Sequence, residues 1–117
     1  MLVDDSSTVL LMQRMIIGEG EFDLVIARNG QEAVQKATQE TPNLILMDVL
    51  MPIMNGFEAC RALRAKESTK EIPIILVTTR GEANNVEEGF AAGCTEYVTK
   101  PFDGPELMAK LRNYLKD

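Results

Sequence analysis

The stretch NLILMDVLMP, residues 43–52, decides the fold. Leu44, Ile45, Leu46 and Met47 are consecutive and apolar, which fits a short strand buried on both faces. Asp48 follows at once, then further apolar residues, then Pro52. A carboxylate at the mouth of the most hydrophobic run in the chain is costly to bury without a partner. Its place therefore needs a chemical reason.

Working outward, short apolar runs alternate with amphipathic stretches. Residues 1–3 read as a short strand. Ser6 or Ser7 caps a helix to about residue 17, with Leu11, Met15 and neighbouring aliphatics expected on its inner face, and Gly18 and Gly20 end it. Residues 24–27 form a second strand. Asn29-Gly30-Gln31-Glu32 reads as a capping box, with Ala33, Val34 and Ala37 at helical spacing and Thr41-Pro42 as the stop. After the third strand, Asn55-Gly56-Phe57-Glu58 repeats the capping pattern, and Phe57, Cys60 and Leu63 give the inner face. Residues 67–71 are a polar connector, and 74–77 a fourth strand. A weak helix covers roughly 83–92, rich in poor helix formers (Asn84, Asn85, Gly89) and anchored by Val86 and Phe90. Residues 96–99 are a fifth strand. Asp103-Gly104-Pro105-Glu106 caps a last helix with an inner stripe of Leu107, Leu111 and Leu115, and Lys110, Arg112 and Lys116 suit its C-terminal dipole. Strand and helix alternate five times, which implies an α/β doubly wound parallel sheet with helices on both faces.

The chain has 117 residues, one domain's worth, so residues 1–117 are taken as a single unit. No apolar run approaches the ~20 residues of a membrane span, and no cationic stretch leads into an apolar leader. No membrane insertion and a cytoplasmic location are expected. A net charge of −6 argues against direct nucleic-acid binding. Cys60 and Cys94 fall in helix-like patterns without metal-ligand spacing, so both are expected as buried free thiols. The absence of histidine excludes a Ser-His-Asp or Cys-His dyad and any phosphohistidine on this chain.

In an open parallel sheet, ligands bind beyond the carboxyl ends of the strands. Asp4 and Asp5 follow the first strand, Arg28 and Asn29 the second, Asp48 the third, Thr78 and Thr79 the fourth, and Lys100 the fifth. Each has an ordinary alternative. Asp48 fits a turn, Asp4 or Asp5 a helix cap, Thr78 strand filler, and Lys100 a solvated surface charge. Together they fit less comfortably. If the first and third strands are neighbours, three carboxylates converge, and at ~5 Å and an effective dielectric near 20 each pair repels by about 3 kcal/mol. Lys100 supplies one compensating charge and a divalent metal two more. Three acids, a hydroxyl and a lysine suit phosphate chemistry. Magnesium bridges carboxylate and phosphoryl oxygens, threonine and lysine take the remaining oxygens, and one carboxylate is left as nucleophile.

The segments VDDSS, LILMDVLMPIMNGFEACRALR, IILVTT and AAGCTEYVTKPF resemble the receiver domain of two-component response regulators, near the single-domain, CheY-like chemotaxis type. The resemblance spans nearly the whole chain. It implies a flavodoxin-like five-stranded sheet in the order 2-1-3-4-5. It also implies that Asp48 accepts a phosphoryl group from a histidine kinase or phosphotransfer protein. Asp4, Asp5, Asp48 and the backbone carbonyl of Leu50 would hold Mg²⁺, with Asp5 a direct ligand. Thr78 and Lys100 would bind the phosphoryl oxygens. Tyr97 matches the family's switch aromatic, which turns inward as Thr78 moves, and the bond between Lys100 and Pro101 is commonly cis in such proteins. A downstream protein target would read the switch on the face of the fourth helix, fifth strand and fifth helix. A homodimer through the fourth and fifth helices is left open.

Three features depart from the family pattern. Thr79 is bulkier than the usual residue. Leu50 and Arg80 stand where water approach is controlled, so slow self-hydrolysis is expected. Only three residues precede Asp4, which makes the first strand short. The leading expectation is a phosphorylation-controlled switch rather than a conventional enzyme, with Mg²⁺-dependent self-catalysed phosphotransfer and dephosphorylation at Asp48. The alternative is the receiver part of a longer regulator. A haloacid-dehalogenase-type phosphatase would carry a second aspartate where Leu50 stands, and a pseudo-receiver would not need Asp5, Asp48, Thr78 and Lys100 together.

Overall fold

In the computed structural model, residues 1–18, 22–79, 86–100 and 104–115 are described, with Thr79, Val86 and Lys100 described by their backbone alone. The strands are β1 (Leu2–Val3), β2 (Ile26–Ala27), β3 (Ile45–Asp48), β4 (Ile74–Thr79) and β5 (Glu96–Lys100). The helices are α1 (Ser7–Ile17), α2 (Gly30–Glu40), α3 (Gly56–Arg64), α4 (Val86–Ala91) and α5 (Gly104–Leu115). All strand pairs are parallel, in the order β2-β1-β3-β4-β5. This is the doubly wound, flavodoxin-like fold that the family resemblance implied.

The apolar runs of β3 and β4 are explained by burial on both faces. Ile45 and Met47 join a core with Ile74, Leu76, Phe57, Cys60 and Leu63, beneath α2 and α3. Leu46 joins the opposite core with Ile75, Val77, Leu10, Leu107 and Leu111, beneath α1 and α5. Successive side chains point to opposite faces, and both faces are dry. Each such side chain contributes roughly 1.5–3 kcal/mol by leaving water. The central strands are therefore the rigid part of the molecule.

Local chemistry sets most element ends. The Ser6 hydroxyl accepts from the Val9 amide at 3.3 Å and starts α1. Asn55 and Glu58 form a complete capping box at α3, each bond 2.9 Å. At α2 the box is half made. Asn29 accepts from the Glu32 amide at 2.8 Å, while the Glu32 carboxylate pairs with Lys36 at 3.2 Å. α2 closes at Thr41 in the left-handed region, φ +41°, ahead of Pro42. α4 ends in a Schellman motif. The Cys94 amide donates to the Gly89 carbonyl at 3.1 Å, the Gly93 amide to Phe90 at 3.0 Å, and Gly93 has φ +103°.

Five expectations need correction. Leu11 and Met15 lie on the exposed side of α1, Met15 at 73% exposure, and the buried face is Leu10, Gln13 and Ile17. Residues 9–12 and 15–17 are apolar all round, so hydrophobicity leaves the helix rotation open; contact of Leu10 and Ile17 with the core around α5 sets it. Phe90 does not anchor α4, because its side chain is exposed; among the described side chains Gly89 is the buried residue of that helix, with buried Ala92 just past its end. Cys94 lies beyond α4 rather than in a helix, though both cysteines are buried and free as expected. Lys110 serves β5 more than the end of α5, pairing with Glu96 at 3.4 Å. β2 is also shorter than expected, because its ladder runs only as far as the two residues of β1. The expected cap at Asp103, the Asn84 and Asn85 positions, Lys116 and the Pro101 bond lie outside the described residues. Among the described residues no helix is long and apolar enough to cross a membrane.

Candidate functional site

The parallel register places the candidate residues along one edge of the sheet. Val3 pairs with Met47, so Asp4 and Asp48 emerge side by side from β1 and β3. Asp48 pairs with Val77, which puts Thr78 one residue further along β4, and Thr78 pairs with Thr99 beside Lys100. Asp4, Asp5 and Asp48 each present a carboxylate oxygen within 4.8 Å of the others. Asp4 is 1% exposed and Asp48 8%, while Asp5 faces solvent. Thr78 is buried and Tyr97 half-buried. Leu50 lies two residues past Asp48 with an exposed side chain. Lys100 closes β5 opposite Thr79 by its backbone; its side chain, that of Thr79, and Arg80 are outside the described residues.

Backbone bonds fix the two buried acids. Asp4 receives the Ser6 amide on Oδ1 at 2.9 Å, and its own amide donates to Ala27 at 3.1 Å. The aspartate is thus tied to the start of α1 and to β2 at once. The Val49 amide donates to Val77 at 3.0 Å, so the β3–β4 ladder continues past Asp48. The Arg28 guanidinium crosses from the end of β2 to donate to the Ser7 hydroxyl at 2.9 Å, beside the same edge.

The loop after Asp48 is held by two glycines that sequence reasoning used only as capping-pattern filler. The Gly56 amide donates to the Val49 carbonyl at 2.8 Å. A Cβ at Gly56 would lie 2.5 Å from the Asp48 carbonyl oxygen and 2.9 Å from Val49 Cα. Only a residue without a side chain lets α3 press against the strand end that carries Asp48. The Gly30 amide likewise donates to Met54 at 2.9 Å, and a Cβ there would strike the Met54 carbonyl. The shared Asn-Gly pair at 29–30 and 55–56 was the available signal. Between these anchors the Met54 amide donates to Pro52 at 2.7 Å across Ile53, which has φ +72°. That is a γ-turn of the positive-φ kind, strained for any residue and more so for a β-branched one. Ile53 is also 75% exposed. Strain is thus stored five residues from the candidate nucleophile.

Charge is the dominant physics of the cluster. At 4.8 Å and an effective dielectric near 20, a carboxylate pair repels by about 3.5 kcal/mol. The donors are all hard oxygens, two of them buried, which fits a hard divalent cation.

The response regulator receiver domain model matches residues 1–112. The protein PilH of Pseudomonas aeruginosa is 35% identical over 98% of this chain and 95% of its own length. The chain spans only about half the length of several transcriptional regulators that it also matches at 34–35% identity. The chemotaxis response regulator CheY4 of Vibrio cholerae superposes with a TM-score of 0.87 at 33% identity, over 97% of this chain and 95% of that one. The receiver domain of the sensor histidine kinase PA1611 of Pseudomonas aeruginosa has a TM-score of 0.90 at 28% identity, over 99% of this chain and 95% of that one. Its structure has a magnesium ion coordinated in the active site cleft. With the acidic cluster on the sheet edge and the family match over nearly its whole length, this chain belongs to the response regulator receiver domains of two-component signalling.

Proposed function

We propose that Asp48 accepts a phosphoryl group from a phosphohistidine on a histidine kinase or phosphotransfer protein, and that this changes binding of a downstream protein. The observation that carries the proposal is the meeting of Asp4, Asp5 and Asp48 within 4.8 Å at the carboxyl edge of the sheet, beside buried Thr78. An Asp48 oxygen attacks phosphorus as the P–N bond breaks, and the donor imidazole leaves with the electron pair. β3 holds the nucleophile still, because its side chains are locked in two cores, so attack needs little reorganisation. Thr78 and Lys100 bind the phosphoryl oxygens. Asp4, Asp5, Asp48 and the Leu50 carbonyl would hold Mg²⁺, which when bound offsets the repulsion among the acids and the charge of the phosphoryl group. Tyr97 carries the change outward to the face of α4, β5 and α5. Leu50, exposed and apolar, offers an attacking water no hydrogen bond, so the acyl phosphate hydrolyses slowly.

Two arrangements of output suit this receiver. PilH, matched over nearly its full length, favours a switch that acts by binding alone; the half-length matches favour the receiver part of a longer transcriptional regulator. In both, the receiver works in the cytoplasm. The test is incubation with Mg²⁺ and acetyl phosphate, followed by intact mass. One base-labile phosphate that is lost in Asp48→Asn is the expected result. Steady turnover of phosphoesters would replace the switch with a phosphatase, and no adduct even from a kinase would reduce the chain to a binding module.

A further inference from the structure

Gly89 sits in the middle of α4, a helix of six residues, where alanine is intrinsically the better residue. Its side-chain direction is blocked by one group. A Cβ there would lie 2.8 Å from both Cδ2 and Cε2 of the Tyr97 ring and 3.4 Å from Leu76 Cδ1. The ring therefore rests directly on the helix backbone. Its hydroxyl oxygen is shielded from water, and the ring packs on the core beneath α3. Glu87, Glu88, Phe90 and Ala91 all face outward, so among the described side chains of α4 the inward position is Gly89, with buried Ala92 just past the helix end. The Gly89 carbonyl also accepts the closing bond of the helix from Cys94.

We propose that Gly89 is the positioning residue of the switch: its bare backbone is the seat for the inward Tyr97 ring, so ring position and α4 position move as one. This rests on the phosphoacceptor reading of Asp48 and names the element that ties the aromatic to the output helix. When the ring leaves, α4 loses this contact with β5 and settles elsewhere. When the ring is seated, α4 is held. A side chain at residue 89 evicts the ring and so weakens the inward state.

The experiment uses the full chain labelled with 3-fluorotyrosine. The protein has two tyrosines, so fluorine NMR reports Tyr97 against Tyr114 as an internal control. Gly89→Ala should move the Tyr97 signal and leave Tyr114 in place. It should lower the melting temperature, against helix propensity, whereas in a Tyr97→Ala background the same substitution should lower it no further. With Mg²⁺ and beryllofluoride as the phosphoryl mimic, the midpoint of the Tyr97 response should rise about tenfold. An unmoved Tyr97 signal, additive effects of the two substitutions, or an unchanged midpoint each overturns the proposal. If the wild type itself takes up no beryllofluoride, the Asp48 reading falls and this inference with it; if both proteins respond alike, only this inference falls.

Discussion

Asp48→Asn should make the metal-free protein more stable. Asp4 and Asp48 are both buried, and each offers a carboxylate oxygen within 4.8 Å of the other. Their repulsion is about 3.5 kcal/mol at an effective dielectric of 20, and burial keeps salt from screening it. Asparagine has nearly the same shape and removes the charge. The exposed Asp5 adds a smaller share. Allowing for cations elsewhere on the edge, a gain of about 2–3 kcal/mol is expected, which for a chain of this size is roughly 8–12 °C in melting temperature. The assay is thermal and urea unfolding of both proteins in EDTA. Addition of Mg²⁺ should then narrow the gap, because wild type offers one more charged ligand. At ten times its dissociation constant the ion stabilises the folded state by about 1.4 kcal/mol. An Asp48→Asn protein no more stable than wild type in EDTA would refute the convergence of charge. A gap indifferent to Mg²⁺ would refute the metal assignment.

Four further outcomes follow from the geometry. Gly56→Ala should cost about 2 kcal/mol by urea unfolding despite its better helix propensity, because the new Cβ meets backbone atoms of Asp48 and Val49 that cannot yield. Ile53→Gly should gain about 1 kcal/mol in the same measurement by relieving the left-handed γ-turn. Leu50→Asn should shorten the phosphoryl half-life; an unchanged half-life would remove Leu50 from control of hydrolysis. Tyr114→Phe should lower the melting temperature at neutral pH, since the phenol donates to Glu96 at 2.6 Å and, with Lys110, holds the Glu96 carboxyl below its ordinary 4.5. A lowered carboxyl pKa stabilises the fold above 4.5, so the difference between the proteins should shrink as pH falls below that value. The Tyr114 phenol is raised in turn by the same bond, so its contribution should fade as pH rises past 10.

The alternation of strands and helices was legible because burial on both faces demands unbroken apolar runs, and β3 and β4 have them. The Asn55 capping box was legible because both partners lie within four residues. The rotation of α1 was not. Leu11 and Leu10 are chemically alike, and only contact with the core around α5 chooses between them. Phe90 misled for a related reason: a large apolar residue on a short helix is ordinarily an anchor, yet here a glycine fills the seam because an aromatic ring already occupies the space.

The order of the strands came with the family resemblance rather than from periodicity, since a pattern of runs says which segments are strands and not which are neighbours. The sequence by itself determined that the protein alternates strand and helix, and that Asp4, Asp5, Asp48, Thr78 and Lys100 follow strands. Those are local properties of short segments. Tertiary structure alone decided that three of the acids lie within 4.8 Å, because parallel register couples residues more than forty positions apart. It also decided that Gly30, Gly56 and Gly89 are contact points. A missing side chain carries no meaning until the atoms that would strike it are in place.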